Sequence, residues 1–321
     1  MATFLVTGGA GFIGSHLVTE LVGRGETVRV LDNFTTGKKE NLQAVQEAVS
    51  IHEGDIRNID TIRPQLAGVD YVLHLAALPS VTRSITHPLD SNLINITGTL
   101  NVLVAARDAH VRRLVFAASA AAYGDSPVNP RVESLVPFPL SPYALQKLAG
   151  EHYCQVFTRL YGLETVALRY FNIFGPRQDP TSPYTGVLSK FITAYLRGAT
   201  PTIFGDGEQS RDFTYVENVV DATLRACSAP AAPGRVLNVG TGKSYTLNQT
   251  ITLLNHIFGR EIKPLYGPPR PGDVRQSQAE IELARELLGY APKVGFEEGL
   301  RRTIKWYEAA LAPPPGQSTE S

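Results

Sequence analysis

The chain begins with a β-prone strand that runs directly into three regularly spaced glycines. The apolar run Thr3–Thr7 is followed by Gly8, Gly11 and Gly14, and an amphipathic helix is predicted over Phe12–Val22. Glycines let the backbone turn tightly and approach phosphates, and a helix N-terminus presents free N–H groups with a partial positive charge. This pattern predicts a strand–turn–helix unit that holds a pyrophosphate.

A second predicted strand, Thr27–Leu31, ends at an acidic residue, Asp32. This is the distance downstream at which a carboxylate grips the adenosine ribose hydroxyls of a dinucleotide. A carboxylate accepts two ribose hydroxyls but repels a 2′-phosphate, so Asp32 favours NAD over NADP. The nearby lysines Lys38 and Lys39 would instead favour NADP, but we interpret them as part of a solvated loop.

Further apolar strands alternate with helical segments along the first half of the chain. The predicted strands are Ser50–Glu53, Asp70–Leu75, Leu114–Ala118 and Glu164–Tyr170, and the two longest helices are Pro88–Ala109 and Tyr143–Tyr161. This alternation predicts an α/β fold with a doubly wound, parallel Rossmann sheet. Ligands on such sheets sit beyond the carboxyl ends of the strands. The residues expected there are Gly8, Asp32, Asp55, Ala76 and Ser119.

Prolines and glycines become more frequent after Gly175, and the helical periodicity breaks. We therefore expect an NAD-binding Rossmann domain over residues 1–173 and a smaller α/β substrate-binding domain mainly over 174–311. Segments near 203–228 and 236–239 are expected to return to the first domain. Residues 312–321 are too polar and proline-rich to bury surface and are expected to form a flexible tail.

Charge and cysteine content exclude several classes of partner. Thirty Lys and Arg residues balance thirty Asp and Glu residues, so nothing suggests nucleic acid or a membrane surface as a partner. Cys154 and Cys227 form no cluster, and the seven histidines show no metal-ligand spacing, so no metal is predicted. Because the first strand follows Met1 almost at once, we expect a cytoplasmic protein without a signal peptide.

Tyr143 and Lys147 lie four residues apart at a predicted helix start and so share one face. A nearby cation stabilises a phenolate and brings a tyrosine, whose reference pKa is about 10, toward working pH. Such pairs also occur in many helices without a function. Here the pair follows a nucleotide-binding half and a strand-end serine, Ser119, which favours catalysis.

These motifs together resemble the extended short-chain dehydrogenase/reductase superfamily, and within it the nucleotide-sugar 4-epimerases related to UDP-galactose 4-epimerase. The resemblance covers residues 1–311. It is carried by the glycine motif at 8, 11 and 14, Gly54-Asp55-Ile56, His74-Leu75-Ala76-Ala77, Ser119, Tyr143-x-x-x-Lys147, Arg169-Tyr170-Phe171-Asn172 and Arg270-x-x-Asp273.

The resemblance implies a catalytic cycle with a transient 4-keto sugar. Tyr143 would remove the proton from the 4-hydroxyl of the sugar while C4 gives hydride to a retained NAD⁺. The keto sugar would turn over and take the hydride back on its other face. Ser119 would hydrogen-bond the 4-oxygen, and Lys147 would hold the nicotinamide ribose and tune Tyr143.

The resemblance also implies the remaining site residues. Those expected around NAD are Gly8, Gly11, Phe12, Ile13, Gly14, Asp32, Asn33, Asp55, Ile56, Leu75, Ala76, Ala77, Pro79, Asn95, Ala117, Tyr143, Lys147, Tyr170 and Phe171. Those expected around a UDP-sugar are Ser80, Ser119, Tyr143, Asn172, Ile203, Arg211, Arg270, Asp273 and Ser277. Arginines suit the diphosphate and an aspartate suits a ribose diol, although each arginine alone would more often join a surface ion pair.

Four positions select among reactions within the superfamily. Ala120 and Ala121 cannot move a proton, which disfavours sugar dehydration and uronate decarboxylation. Asp179 stands where uronate 4-epimerases typically have a basic residue, and it would repel a carboxylate substrate. Ser277 resembles the position where a tyrosine restricts the pocket to plain hexoses, so its small side chain favours acceptance of UDP-N-acetylglucosamine beside UDP-glucose and UDP-galactose. An ordinary polar role for Ser277 is the alternative.

Other interpretations stay open. The chain could be a UDP-uronate 4-epimerase, a 4-keto reductase that exchanges its cofactor, or a non-catalytic NAD-sensing protein. Gly240-Thr-Gly-Lys-Ser244 lacks the earlier glycine of a Walker loop and is interpreted as a turn. His16 and His74 are interpreted as packing or hydrogen-bonding residues. The helices near 90–107 and 143–161 resemble the family's four-helix contact and predict a homodimer.

Overall fold

The computed structural model describes residues 1–180, 186–269 and 274–311. Its strands are, in chain order, β1 (Thr3–Thr7), β2 (Thr27–Asp32), β3 (Val49–Glu53), β4 (Tyr71–His74), β5 (Arg113–Ser119), β6 (Glu164–Tyr170), β7 (Ile173–Phe174), β8 (Thr202–Phe204), β9 (Ser210–Arg211), β10 (Thr214–Tyr215), β11 (Val236–Val239), β12 (Tyr245–Thr246), β13 (Leu265–Gly267) and β14 (Gln276–Ser277). The main sheet has seven parallel strands in the order β11-β6-β5-β4-β1-β2-β3.

Helices cover both faces of this sheet. They are α1 (Phe12–Gly23), α2 (Ile59–Ile62), α3 (Val81–Thr86), α4 (Pro88–Asn92), α5 (Thr99–Asp108), α6 (Pro142–Tyr161), α7 (Val187–Leu196), α8 (Val216–Ser228), α9 (Leu247–Phe258), α10 (Glu282–Leu288) and α11 (Phe296–Leu311). Short 3₁₀ segments occur at Lys39–Ala48, Arg63–Leu66 and Ala120–Tyr123.

The alternation of side chains along the strands separates two hydrophobic cores. In β1, Val6 packs on one face with Leu17 of α1 and Val219 of α8. Leu5, the adjacent residue, packs on the other face with Phe116. Successive strand residues point to opposite faces, so this split is the physical signature of a doubly wound sheet. The predicted Rossmann fold class is confirmed.

One helix prediction differs from the structure. The predicted Pro88–Ala109 helix is divided by a π-helical segment, Leu93–Gly98, between α4 and α5. Gly98 leaves room there for Ile56, since a Cβ at Gly98 would lie 2.6 Å from the Ile56 Cδ1. Asn95 lies in this wider turn and is buried, and its side-chain amide forms hydrogen bonds with the backbone of Leu78. Hydrophobic periodicity does not distinguish such a segment from a regular helix.

A third core cluster forms the smaller part of the molecule. Phe174, Tyr195, Phe213 and Phe296 are among its buried residues, and short two- and three-stranded sheets lie around it. Of the segments expected to return to the first domain, β11 joins the main sheet and α8 packs on it. The stretch at Ile203 does not, because β8 pairs with β13 and Ile203 lies in the third cluster.

The predicted tail at 312–321 lies outside the described residues. Among the helices that the structure describes, none is long and apolar enough to cross a membrane.

Candidate active site

A cavity of about 1280 Å³ opens at the carboxyl ends of the main-sheet strands and reaches the smaller part of the molecule. Four of the five residues predicted at strand ends line it, namely Gly8, Asp32, Ala76 and Ser119. The predicted residues that line it are Gly8, Gly11, Phe12, Ile13, Gly14, Asp32, Asn33, Ile56, Leu75, Ala76, Ala77, Pro79, Ser80, Ala117, Ser119, Tyr143, Lys147, Tyr170, Asn172, Arg211 and Ser277. Most of the predicted site residues therefore line a single cavity.

The glycine turn is packed so closely that side chains would not fit at two of its glycines. A Cβ at Gly14 would lie 2.1 Å from the carbonyl oxygen of Gly8. Gly8 has a φ of +71°, and a Cβ there would lie 2.7 Å from the backbone nitrogen of Ala76. Helix α1 begins directly behind this turn, so its free N–H groups face the cavity. The turn fits a pyrophosphate.

Asp32 is held in place by the backbone of the same region. Its Oδ2 accepts the Ala10 N–H at 2.9 Å, and its Oδ1 accepts the Phe34 N–H at 2.9 Å. Burial raises the pKa of the Asp32 carboxyl, while these backbone hydrogen bonds oppose the rise. The carboxylate suits the ribose diol of NAD.

The two lysines beside Asp32 have carboxylate partners. Lys38 Nζ lies 3.0 Å from Asp179 Oδ2, and Lys39 Nζ lies 3.8 Å from Glu53 Oε2. Lys38 and Asp179 both line the cavity. The Lys38 side chain is exposed, as expected of a solvated loop, and it also forms an ion pair with Asp179 at the cavity.

Ser119, Tyr143 and Lys147 reach the cavity from two neighbouring elements. Ser119 is the last residue of β5 and caps the following 3₁₀ turn by accepting the Ala121 N–H at 3.2 Å. Tyr143 and Lys147 lie on the first turns of α6, which begins at Pro142 after an N-cap by Ser141. Helical spacing places both side chains on the face toward the sheet end.

Burial sets the protonation of this group. It raises the pKa of the Tyr143 phenol, and a hydrogen bond with Ser119 opposes that rise. Burial lowers the pKa of Lys147 to about 8. The Lys147 ammonium donates to the carbonyl of Ala117 at 2.7 Å and lies 4.9 Å from the Phe116 ring centroid. Burial thus disfavours the phenolate form of Tyr143, which a positive charge close by would stabilise.

Three of the residues predicted to contact the substrate, Asn172, Arg211 and Ser277, line the cavity. Asn172 follows β6 with a φ of +34°, a conformation that few side chains adopt. Arg211 and Ser277 are register partners in the parallel pair of β9 and β14. Arg270 and Asp273 lie outside the described residues.

Four predicted site residues do not line the cavity. Phe171 and Ile203 are completely buried in core clusters. Asn95 lies behind the wall, where its Oδ1 accepts the Leu78 N–H at 2.7 Å. The Asp55 carboxylate turns to Arg57, whose side-chain hydrogen bonds are the main cause that lowers its pKa to about 2. Burial and these polar partners, none of which a sequence motif reveals, account for the difference.

Two cavity residues carried no sequence signal. Arg177 lies just after Gly175 with a φ of +65°, and its Nη1 donates to Thr19 of α1 at 3.0 Å. Arg131 lies in a proline-rich loop, where an isolated arginine is most often at the surface, yet it is 1% exposed and lines the cavity. Sequence periodicity is uninformative in such loops.

The glycine-rich stretch Gly240–Ser244 is a turn, as predicted. Its amides at Thr241 and Gly242 donate to the Asp212 carboxylate at 2.8 and 3.0 Å. The chain therefore supplies its own anion to the turn that resembled a phosphate loop.

The two histidines also have the predicted structural roles. His74 is completely buried between the hydroxyls of Thr7 and Thr99, and His16 Nε2 lies 2.9 Å from the Pro176 carbonyl oxygen. Among the residues that the structure describes, no group of three or more His, Cys, Asp or Glu side chains is arranged to hold a metal.

Comparisons with known proteins agree with this geometry. The model of the "NAD dependent epimerase/dehydratase family" matches residues 4–240. The UDP-glucose 4-epimerase of Mycolicibacterium smegmatis is 38% identical over 310 residues, which cover 94% of this chain and 97% of that protein. The UDP-glucuronate 4-epimerase of Thermodesulfobacterium geofontis is 34% identical over 318 residues, 95% and 96% of the two chains.

A solved structure is also similar to this chain in fold and in sequence. The UDP-N-acetylglucosamine 4-epimerase from Methanobrevibacter ruminantium M1, in complex with UDP-N-acetylmuramic acid, matches with a TM-score of 0.92. It is 41% identical and covers 96% of this chain and 99% of that chain. The predicted NAD cofactor and isomerase class are confirmed. The chain belongs to the NAD dependent epimerase/dehydratase family, and it groups there with UDP-sugar 4-epimerases.

Proposed function

We propose that the protein is a UDP-hexose 4-epimerase that interconverts UDP-glucose and UDP-galactose and also UDP-N-acetylglucosamine and UDP-N-acetylgalactosamine. The observation that carries the proposal is the placement of Ser119, Tyr143 and Lys147 on the wall of the same cavity as the glycine turn. Relatives named UDP-glucose 4-epimerase and UDP-N-acetylglucosamine 4-epimerase support both substrate pairs.

The chain's own residues divide the work at the sugar. Tyr143, as phenolate, takes the proton of the 4-hydroxyl and later returns it, and Ser119 holds the 4-oxygen. Burial disfavours the phenolate, and the ammonium of Lys147, which lines the same cavity, is the positive charge that would favour it. NAD, when bound at the glycine turn and Asp32, supplies the hydride acceptor and donor. Arg211 and Asn172 line the far end of the cavity, where the diphosphate is expected.

Ser277 is the basis for including N-acetylated sugars. It lines the cavity as a half-buried side chain, and its register partner Arg211 places it close to the substrate side. A serine leaves more room than a tyrosine for a substituent at C2 of the hexose. The M. ruminantium relative, which is named UDP-N-acetylglucosamine 4-epimerase, supports the same interpretation.

The alternatives within the family fit less well. Ala120 and Ala121 line the cavity beside Ser119 and offer no acid for dehydration or decarboxylation. A UDP-uronate substrate is the stronger rival, because a uronate 4-epimerase is among the relatives. Asp179 disfavours a uronate, because its carboxylate lies on the cavity wall and would repel the carboxylate of the substrate. Lys38 is already engaged in an ion pair with Asp179 at 3.0 Å.

We also propose a homodimer. Val81, Ile85, Leu89 and Leu93 recur every four residues and are 46–80% exposed. This stripe lies beside α6, which exposes Leu145, Val156, Leu160 and Tyr161. A second copy that covers both surfaces would remove these exposed apolar side chains from water. Light scattering should give a dimer for the wild type and a monomer for Leu89→Glu; a monomeric wild type would contradict it.

The reaction is tested without added cofactor. The purified protein should convert UDP-galactose to UDP-glucose, and UDP-N-acetylglucosamine to its 4-epimer, with no NAD⁺ in the buffer. Separating the products by anion-exchange chromatography distinguishes the epimers. A net, cofactor-dependent reduction would favour the reductase alternative. If no UDP-sugar yields a 4-epimer, the proposal is wrong.

A further inference from the structure

The cavity wall that carries Ser277 also contains a buried arginine that belongs to none of the sequence motifs. Arg131 is 1% exposed and lines the same cavity. Its Nη2 donates to the carbonyl of Gln276 at 2.9 Å, and its Nη1 donates to the carbonyls of Ser126 and Val128. One guanidinium therefore joins the loop after the catalytic serine strand to β14 through three backbone carbonyls.

The backbone of Arg131 forms two more hydrogen bonds, to residues just after β14. Its N–H donates to the carbonyl of Gln278 at 2.8 Å, and its own carbonyl accepts the Glu280 N–H at 2.8 Å. On the opposite edge of the same stretch, the Asp212 N–H donates to the carbonyl of Ser277 at 2.7 Å. Ser277 thus lies on a strand that is hydrogen-bonded on both edges, and Arg131 provides one of them.

Arginine is suited to this position by its chemistry. A guanidinium presents five N–H donors in a rigid plane, so it can reach carbonyls on two separate segments at once. Within the part of the chain that the structure describes, the side-chain hydrogen bonds of Arg131 go to carbonyl oxygens rather than to a carboxylate. A lysine would reach fewer of these oxygens, and a methionine would reach none.

We propose that Arg131 is a positioning residue that fixes the wall at Ser277 and thereby sets the room for the substituent at C2 of the hexose. The inference rests on the proposed function for the identity of the ligand. A loosened wall should weaken contacts to an N-acetyl group more than contacts to the smaller hydroxyl of a plain hexose, because the larger group extends farther from C2.

Binding separates this role from a merely structural one. Titration calorimetry in a Tyr143→Phe background, where the ligand should not be converted, gives the Kd of UDP-galactose and of UDP-N-acetylglucosamine. Arg131→Met should weaken the N-acetylated ligand at least about fivefold more than the plain one. Arg131→Lys should restore part of that difference. Bound NAD, measured by absorbance after denaturation, should stay at the wild-type level.

Arg113 offers a matched control. It is 3% exposed, and its Nη1 also donates to two backbone carbonyls, those of Ala226 and Ala229. It does not line the cavity. Arg113→Met should lower the melting temperature and leave the ratio of the two Kd values within about twofold.

An unchanged Kd ratio in Arg131→Met, or an equal change in Arg113→Met, would overturn the inference. If Arg131→Met does not fold, Arg131→Lys is the test. An unchanged ratio of the two Kd values in Arg131→Lys would also overturn the inference. A wild-type chain that binds both ligands but yields no 4-epimer would overturn the proposed function alone. A chain that binds neither would overturn both.

Discussion

Glu151 and Arg169 form a bidentate ion pair that is almost completely buried, with Nε–Oε1 and Nη2–Oε2 distances of 3.0 and 2.7 Å. Glu151 lies one helical turn beyond Lys147 on α6. The Arg169 Cζ lies 4.5 Å from the ring centroid of Tyr123, a cavity residue. The pair therefore ties α6, which carries Tyr143 and Lys147, to β6 close to the cavity.

Replacing only one partner of this ion pair should cost more stability than replacing both partners with apolar residues. An unpaired buried charge costs about 3–5 kcal/mol, whereas an apolar replacement of both partners is often close to neutral. Glu151→Leu and Arg169→Met should each lower the free energy of unfolding by about 3 kcal/mol. The double variant should lose clearly less than the sum, as measured by urea unfolding. Additive losses would contradict a coupled pair.

Gly14→Ala should abolish cofactor retention. The new Cβ would lie 2.1 Å from the carbonyl oxygen of Gly8 and 2.8 Å from the Gly9 Cα, and backbone cannot yield as a side chain can. Gly23→Ala is the control in the same helix, because no atom lies within 4 Å of its Cβ position. That variant should keep NAD and gain up to about 1 kcal/mol of stability. Equal NAD content in both variants would contradict the packing.

Ser277→Tyr should separate the two substrate classes. The larger side chain would fill space on the cavity wall, so kcat/KM for UDP-N-acetylglucosamine should fall by about 10- to 100-fold. UDP-galactose turnover should be largely spared, and Ser277→Ala should leave both substrates active. Equal losses on both substrates after Ser277→Tyr would exclude the specificity role.

The environment of His74 predicts its tautomer. The Thr99 hydroxyl donates to the Asn95 carbonyl at 2.7 Å, so it accepts from His74 Nε2. Nδ1 then accepts from the Thr7 hydroxyl at 2.7 Å. The neutral ring is fully satisfied, and burial lowers the pKa of His74 to about 3.

His74 should therefore make the protein less stable in acid. The unfolded chain binds a proton at His74 below about pH 6.5, whereas the folded chain does not until about pH 3, so stability is present above pH 6.5 and is lost as pH falls. The loss should be about 1.4 kcal/mol per pH unit. Between pH 6.5 and 5, the stability advantage of wild type over His74→Gln should shrink by about 2 kcal/mol. Parallel pH profiles in urea unfolding would contradict this.

The sequence predicted the nucleotide half of the molecule well for a physical reason. Most of its strands are apolar runs of four to seven residues, and Gly8, Asp32 and Ser119 lie at their carboxyl ends, where such residues must meet. The motif Tyr143-x-x-x-Lys147 needed only helical spacing to bring both groups to one face.

The substrate half was not predictable in the same way. Strands such as β9, β12 and β14 have two residues each, too few for any periodicity, and they pair segments more than 30 residues apart. Arg131 meets β14 across 145 residues of sequence. Only the tertiary structure reveals such contacts, which is why the substrate wall was inferred from resemblance and its support was missed.

The activity of Tyr143→Phe tests the central claim most directly. Phenylalanine keeps the ring but cannot exchange a proton, so kcat for UDP-galactose should fall by about 10²- to 10⁴-fold. Bound NAD and the melting temperature should match those of the wild type, which separates lost chemistry from lost folding. A Tyr143→Phe enzyme that retains full epimerase activity would contradict the account.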